Sequence, residues 1–161
     1  MRKHSSRLHL LDNKLYTLSM IANCLNANGI TWAVGGSTML FLKGLVDSFH
    51  DIDLMVDEQQ VEKAHLLLAD MGHELPFKDN PAFQTRHVHE FIINDTEVDL
   101  IAGFVIVNGG QAYECPLLPA DITESVVVNT TPIPLHSLSV WHRSYELMGR
   151  PKRQLRGENC E

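Results

Sequence analysis

Two aspartates separated by one residue, Asp51 and Asp53 in His50-Asp-Ile-Asp-Leu-Met-Val56, restrict what this chain can build. The run reads as a strand, and residues i and i+2 of a strand point to the same side of the pleat, so the two carboxylates can share a divalent metal. Upstream lies Trp32-Ala-Val-Gly-Gly-Ser-Thr-Met-Leu40, a short apolar strand broken by a Gly-Gly-Ser turn. A glycine turn that opens a helix presents backbone N–H groups suited to phosphate. A phosphate cradle upstream of a carboxylate pair points to nucleotide chemistry.

The neighbouring sequence supplies the elements this needs. Leu15, Leu18, Ile21, Ala22 and Leu25 recur at helical spacing, and Gly29 is placed to end that helix in a left-handed conformation. Residues 30–34 read as a buried strand, Ser37 as the cap of a helix over 38–45, and residues 52–56 as the acidic strand. Asp57 and Gln60 form a capping box for a helix over 59–71 that Gly72 terminates. Phe91-Ile-Ile93 and Val98-Asp-Leu-Ile101 flank Asn94-Asp-Thr-Glu97 as an antiparallel hairpin. Alternation on its second arm puts Asp99 on the face of Glu97 and Ile101, shared across the hairpin, for a turn of two or four residues, with Glu90, Val88 and Arg86. Residues 108–121 read as loop. Val126–Val128 and Thr131–Leu135 read as a late hairpin or as edge strands broken by proline. A final helix over 136–149 turns Leu138, Trp141, Tyr145 and Met148 inward.

Composition narrows the class. At 161 residues and 44% hydrophobic content the chain suits one domain, 1–161, with a core over about 14–152 and a basic polar tail over 153–161. It has no repeat, no low-complexity segment and no apolar run of membrane-spanning length. Its first residues lack the apolar stretch of a secretory signal, so the expected location is cytoplasmic and no membrane partner is expected. Cys24, Cys115 and Cys160 are odd in number and far apart, which disfavours a disulfide framework or structural zinc. Cys24 reads as a small core residue and Cys160 as an exposed tail residue. The net charge of -7 is segregated: residues 15–142 carry four basic against sixteen acidic side chains, whereas the two ends together carry nine basic against four acidic. Arg143, Arg150, Lys152, Arg153 and Arg156 make the C-terminal end locally positive, a solvated tail or a contact for triphosphate or RNA. The acidic middle disfavours nonspecific nucleic-acid binding.

Gly35-Gly36-Ser37, then Asp51-Ile52-Asp53, then Asp99 on a following strand resembles the signature of the nucleotidyltransferase superfamily whose fold is shared with DNA polymerase beta. The likeness runs from about Tyr16 to Lys152. It takes in Ile133-Pro-Leu-His-Ser-Leu138 and Tyr145-Glu-Leu-Met-Gly-Arg-Pro-Lys152, which are similar to segments of small single-domain prokaryotic members. It implies an α/β (α+β) fold, a mixed twisted sheet with flanking helices. It also implies transfer of a nucleoside monophosphate from an NTP, such as ATP, to an acceptor hydroxyl with release of pyrophosphate. In such a site Asp51 and Asp53 bind Mg²⁺ on the triphosphate, and Asp53 with Asp99 holds a second Mg²⁺ that activates the acceptor. Two ions about 3.5–4 Å apart stabilise both the attacking and the leaving oxygen. Gly35, Gly36 and Ser37 contact phosphate. The acceptor is a small molecule such as an antibiotic, a protein side chain or a tRNA 3′ end. The chain departs from larger members in lacking their C-terminal helical acceptor domain, and from several small ones in having Arg153-Gln154 where they carry an acidic residue. That implies a homodimer completing the site or a macromolecular acceptor, and toxin-like relatives pair with an antitoxin.

Other readings of the same residues stand beside this one. Arg86 neutralises phosphate charge or forms a hairpin salt bridge with Glu90. His87 and His89 are two apart and, with no third ligand evident, read as ordinary residues on the face opposite Asp99. Trp141 and Tyr145 read as core rather than base-stacking platforms. The alternative function is a catalytically inactive nucleotide-binding or partner-binding module on the same fold.

Overall fold

The computed structural model describes residues 2–79 and 83–149. The chain opens with α1 (Arg2–Ala27), whose Leu18, Ile21, Ala22 and Leu25 are fully buried at the spacing of one helical face. Gly29, at φ +67°, turns the chain out of the helix, and the Ile30 N–H returns to the Leu25 carbonyl at 3.1 Å. Then follow β1 (Trp32–Gly35), α2 (Gly36–Leu42), β2 (Ile52–Val56), a 3₁₀ turn (Glu58–Gln60), α3 (Val61–Ala69), β3 (His73–Glu74), β4 (His87–Ile93) and β5 (Thr96–Ala102). The remaining elements are β6 (Val105–Asn108), β7 (Gln111–Glu114), a 3₁₀ turn (Pro119–Asp121), β8 (Ile122–Val128), β9 (Thr131–His136) and α4 (Leu138–Leu147).

Seven strands form one mixed sheet in the order β3-β4-β5-β2-β1-β9-β8, and β6 pairs with β7 in a separate ribbon. The pairs β2–β5 and β1–β9 are parallel, the others antiparallel. One face carries Ile52, Leu54, Phe91, Ile93, Val98 and Leu100, all fully buried. There α3 packs on β4 and β5, with the His65 ring 5.8 Å from that of Phe91, and α1 packs against α3. The β4–β5 turn has two residues, Asn94 and Asp95, at φ 49° and 60°, the left-handed pair of a tight hairpin. That turn sets the register Glu90↔Asp99 and Val88↔Ile101. Glu90, Val88, Asp99 and Ile101 therefore share the half-buried face, away from α3.

Several local expectations are corrected. Gly35, not Ser37, occupies the N-cap of α2, and no side chain caps it, because Gly36 at φ +57° makes the turn with its backbone alone. Asp57 does cap, its Oδ1 accepting from the Gln59 N–H at 2.9 Å. Gln60 does not close a capping box: its Oε1 accepts from the Thr31 N–H at 2.7 Å and its Nε2 donates to the Gly29 carbonyl at 3.0 Å. The helix expected to reach residue 71 stops at Ala69, which frees His73 and Glu74 to pair with Ile92 and Phe91 as an edge strand. Part of the expected loop over 108–121 is the β6–β7 ribbon, turned by Gly109 and Gly110. The late hairpin forms as β8–β9, with β8 at the edge and the proline-bearing β9 internal. Pro132 and Pro134 have no N–H to donate, and β9 meets β1 in a single registered pair, Val34↔Leu135. Trp141 and Tyr145 of α4 are buried, as their spacing predicts. Cys24 is partly exposed, and Cys160 with the basic tail lies outside the described residues.

Candidate active site

Three loci converge because of the strand pairing just described. Asp53 stands opposite Gly35 on β1 and beside Asp99 on β5, and Asp51 precedes β2 by one residue, on the same side of the pleat as Asp53. The buried Thr38 hydroxyl of α2 donates to the Asp51 carbonyl at 2.8 Å and so ties the approach to β2 to the helix after the glycine turn. One carboxylate oxygen from each of Asp51, Asp53 and Asp99 lies within 4.8 Å of the others.

The glycines have separate structural reasons. A Cβ on Gly36 would strike the Asp53 carboxylate, and φ +57° already disfavours any other residue there. A Cβ on Gly35 would strike the indole of Trp141. Gly36 thus lets the carboxylate reach the turn, and Gly35 lets α4 close over it. Ser37 lines the same cavity as the three aspartates.

The electrostatics follow from crowding. Burial, then the charge of Asp51 and of Glu90 across the hairpin, pushes the Asp99 carboxyl from 3.8 up to about 7. Without a cation the cluster relieves its repulsion by keeping a proton. The donors are all carboxylate oxygens, a hard set that fits Mg²⁺ or a similar divalent ion. The residues present therefore fit the metal that the superfamily implies.

These groups lie in a cavity of about 770 Å³. Its acidic floor is Asp51, Asp53, Glu90 and Asp99, and its wall is aromatic and apolar: Phe77, Phe83, Phe104, Trp141, Tyr145 and Met148. Trp141 and Tyr145 are both core and wall: each is buried and lines the cavity, Trp141 packed against Gly35 and Tyr145 against Trp141 at 5.5 Å. Lys78 and Asp79 also line the cavity, from the segment after β3. Sequence reading missed Lys78, Phe77 and Phe83, which sit in a polar, proline-containing stretch with no periodicity.

Arg86 is held elsewhere. Its Nε donates to Glu58 at 3.0 Å and its Nη2 to Glu114 at 2.7 Å, and it does not line the cavity. The expected salt bridge with Glu90 is replaced by this pair of partners because Arg86 precedes β4 and turns toward the Glu58 turn and β7. Those carboxylates raise the guanidinium pKa above its ordinary value, Glu114 most. His87 and His89 lie on the face opposite Asp99, as expected, but His89 does have ligating neighbours there.

Beneath the wall, the Trp141 Nε1–H donates to His136 Nδ1 at 2.8 Å, which places the imidazole proton on Nε2. That Nε2 is buried without a partner among the described residues, and burial lowers the His136 pKa to about 4. The ring is neutral at pH 7.

The fold is shared with TM1012 from Thermotoga maritima, named as a candidate nucleotidyltransferase: 22% identity over 84% of each chain, TM-score 0.71. It is shared with the antibiotic-resistance factor ANT(2'')-Ia, solved with adenylyl-2''-tobramycin: 14% identity over 86% of this chain and 78% of that one, TM-score 0.60. The lincosamide antibiotic adenylyltransferase LnuA, solved with lincomycin, is similar at 19% identity over 77% of this chain and 80% of that one, TM-score 0.53. No curated protein matches by sequence. Residues 17–158, which include the glycine turn and all three aspartates, match the family described as aminoglycoside-2''-adenylyltransferase, so the chain belongs to that family and is a nucleotidyltransferase.

Proposed function

We propose that this enzyme transfers AMP from ATP to a hydroxyl of a small, amine-bearing antibiotic-like acceptor bound in the cavity beside Asp99. The observation that carries the reading is the convergence of Asp51, Asp53 and Asp99 within 4.8 Å beside the Gly36 turn. The antibiotic complexes of LnuA and ANT(2'')-Ia support a small acceptor and an adenylyl donor. Cavity charge supports the amine: Asp79 and Glu90 add two carboxylates to the cluster, and among the described lining residues only Lys78 is basic. A cationic sugar gains from that field, whereas an RNA backbone is repelled by it. The wall of Phe83, Phe104, Trp141 and Tyr145 offers flat apolar surface for a base or a sugar ring.

Asp51, Asp53 and Asp99 would hold the divalent cation, which when bound neutralises triphosphate charge and polarises the α-phosphate. The residues then perform an in-line displacement. The acceptor oxygen bonds to the α-phosphorus, the bond to the bridging oxygen of the β-phosphate breaks, and pyrophosphate leaves. Asp99, ionised once the cation offsets the repulsion of Asp51 and Glu90, takes the hydroxyl proton as general base. Gly35-Gly36 and Ser37 bind the triphosphate through backbone N–H and hydroxyl groups, and Lys78 neutralises part of its charge.

The test has two stages. ATP, GTP, CTP and UTP with Mg²⁺ are titrated calorimetrically into the wild type and an Asp51→Ala/Asp53→Ala variant, and transfer from α-labelled ATP to a panel of aminoglycosides and lincosamides is then followed. Mg²⁺-dependent ATP binding lost in the variant, with label appearing on an acceptor, is the expected result. Binding of no NTP would overturn the enzymatic reading, and transfer only to RNA or protein would overturn the choice of acceptor.

A further inference from the structure

On the opposite face of the sheet a second group of ligating side chains meets, and it differs in chemistry from the carboxylate cluster. His65 comes from α3, Glu74 from β3 and His89 from β4, and one ligating atom of each lies within 4.8 Å of the others. His65 Nε2 is 2.7 Å from Glu74 Oε1, and His89 Nδ1 is 3.1 Å from Glu74 Oε2. The two imidazoles stack, with centroids 3.9 Å apart and planes 17° from parallel. Since β4 alternates, His89 projects away from Glu90 and hence from the Asp99 cavity. The two groups lie on opposite faces of one sheet.

We propose that His65, Glu74 and His89 form a second divalent-metal site, selective for zinc-like ions rather than Mg²⁺. Ligands roughly 2.0–2.1 Å from a tetrahedral ion stand about 3.3 Å from one another, close to the present spacing of Glu74 from each imidazole nitrogen; rotation of the two side chains out of their stack turns both in-plane lone pairs toward the ion. Two imidazoles and one carboxylate are the donor set favoured by Zn²⁺, Co²⁺ and Ni²⁺, whereas Mg²⁺ prefers oxygen ligands and keeps its waters. The side chains are 27–38% exposed, open enough for an ion to enter and to leave a fourth position for water.

The position suggests what the ion does. β3 is a two-residue edge strand that, among the described residues, pairs only with β4. The segment that follows it, tied by the Leu75 N–H to the Glu90 carbonyl at 2.8 Å, carries Phe77, Lys78 and Asp79 into the cavity. An ion held by α3, β3 and β4 together clips this edge strand to the domain and so fixes the base of that segment.

Untagged protein, freed of metal by chelation, is titrated with Zn²⁺ against a chromophoric chelator, and with Co²⁺ while the visible d–d bands are recorded. Wild type, His65→Ala, His89→Ala, Glu74→Gln and Asp51→Asn/Asp53→Asn are compared, with thermal melts with and without Zn²⁺. The expected result is one Zn²⁺ site that the aspartate variant retains, at least tenfold weaker in each of the other three, with a Zn²⁺-induced rise in Tm lost alongside. Glu74→Gln keeps shape and one acceptor oxygen, so it tests ligation even where a histidine variant fails to fold. Unchanged Zn²⁺ affinity in Glu74→Gln, or loss of the site only in the aspartate variant, would overturn the proposal. Failure of nucleotide transfer would leave it standing, since the two sites are read out by different variants.

Discussion

Gly36 carries two constraints at one atom. Its left-handed backbone costs roughly 1–2 kcal/mol in any L residue with a Cβ, and that Cβ would occupy the space of the Asp53 carboxylate. Gly36→Ala is therefore expected to lower ATP affinity at least tenfold while the fold persists, measured by calorimetry beside a circular-dichroism melt. Asp99 carries the opposite burden. Its folded pKa is raised, so its contribution to stability is complete below about 4 and is lost as pH rises through 7. Asp99→Asn should abolish transfer, by 100-fold or more in kcat, yet raise the Tm of the metal-free protein at pH 8 and leave it unchanged at pH 4. His136 is a base whose folded pKa is depressed. Its contribution is complete above 6.5 and is lost as pH falls through about 4, a loss on the order of 3 kcal/mol. Urea denaturation between pH 7 and 4 should show that decline, and His136→Asn, which keeps an acceptor for the Trp141 indole, should flatten it.

At the scale of elements, α4 and the β4–β5 hairpin make the site. Trp141 is 4% exposed, stacks near Phe104 at 6.0 Å and lies on Gly35, so it joins α4 to the glycine turn. Truncating such a ring leaves a cavity, and Trp141→Ala is expected to cost about 3–5 kcal/mol in denaturant unfolding and to weaken ATP binding through the loosened wall. Between β4 and β7, by contrast, Arg86 is spent on Glu58 and Glu114, both ion pairs at the surface. Arg86→Gln is expected to change Mg²⁺-ATP affinity less than twofold; a tenfold loss would return Arg86 to the phosphate role that its place in the sequence allowed.

For the whole molecule, the relevant property is the acidic interior of the chain. In the proposed function, the net charge of -7 and the carboxylates around the cavity would draw a cationic acceptor over a distance set by the Debye length, about 10 Å at 0.1 M salt. KM for an aminoglycoside should therefore rise several-fold between 50 and 300 mM NaCl, while KM for an uncharged hydroxyl acceptor should barely move. No helix among the described residues is long and apolar enough to cross a membrane.

Local pattern determined a good deal of this protein. The alternation around Asp99, the turn potential of Asn94-Asp-Thr-Glu97 and the glycine pair before an acidic strand each follow from the conformational preferences of a few adjacent residues; the strand faces agree with the structure, in which the turn narrows to Asn94 and Asp95. Shorter-range competition misled the reading at Ser37, at Gln60 and at the end of α3, where two or three alternative hydrogen-bond partners lie within reach and the neighbouring elements choose among them. Nothing local could place Arg86 against Glu114, put Lys78 and Phe83 beside Asp51, or bring His65 and Glu74 to His89. Those contacts join residues on different elements, and their geometry exists only once the parallel pairing of β2 with β5 and the packing of α3 on the sheet have set which faces meet.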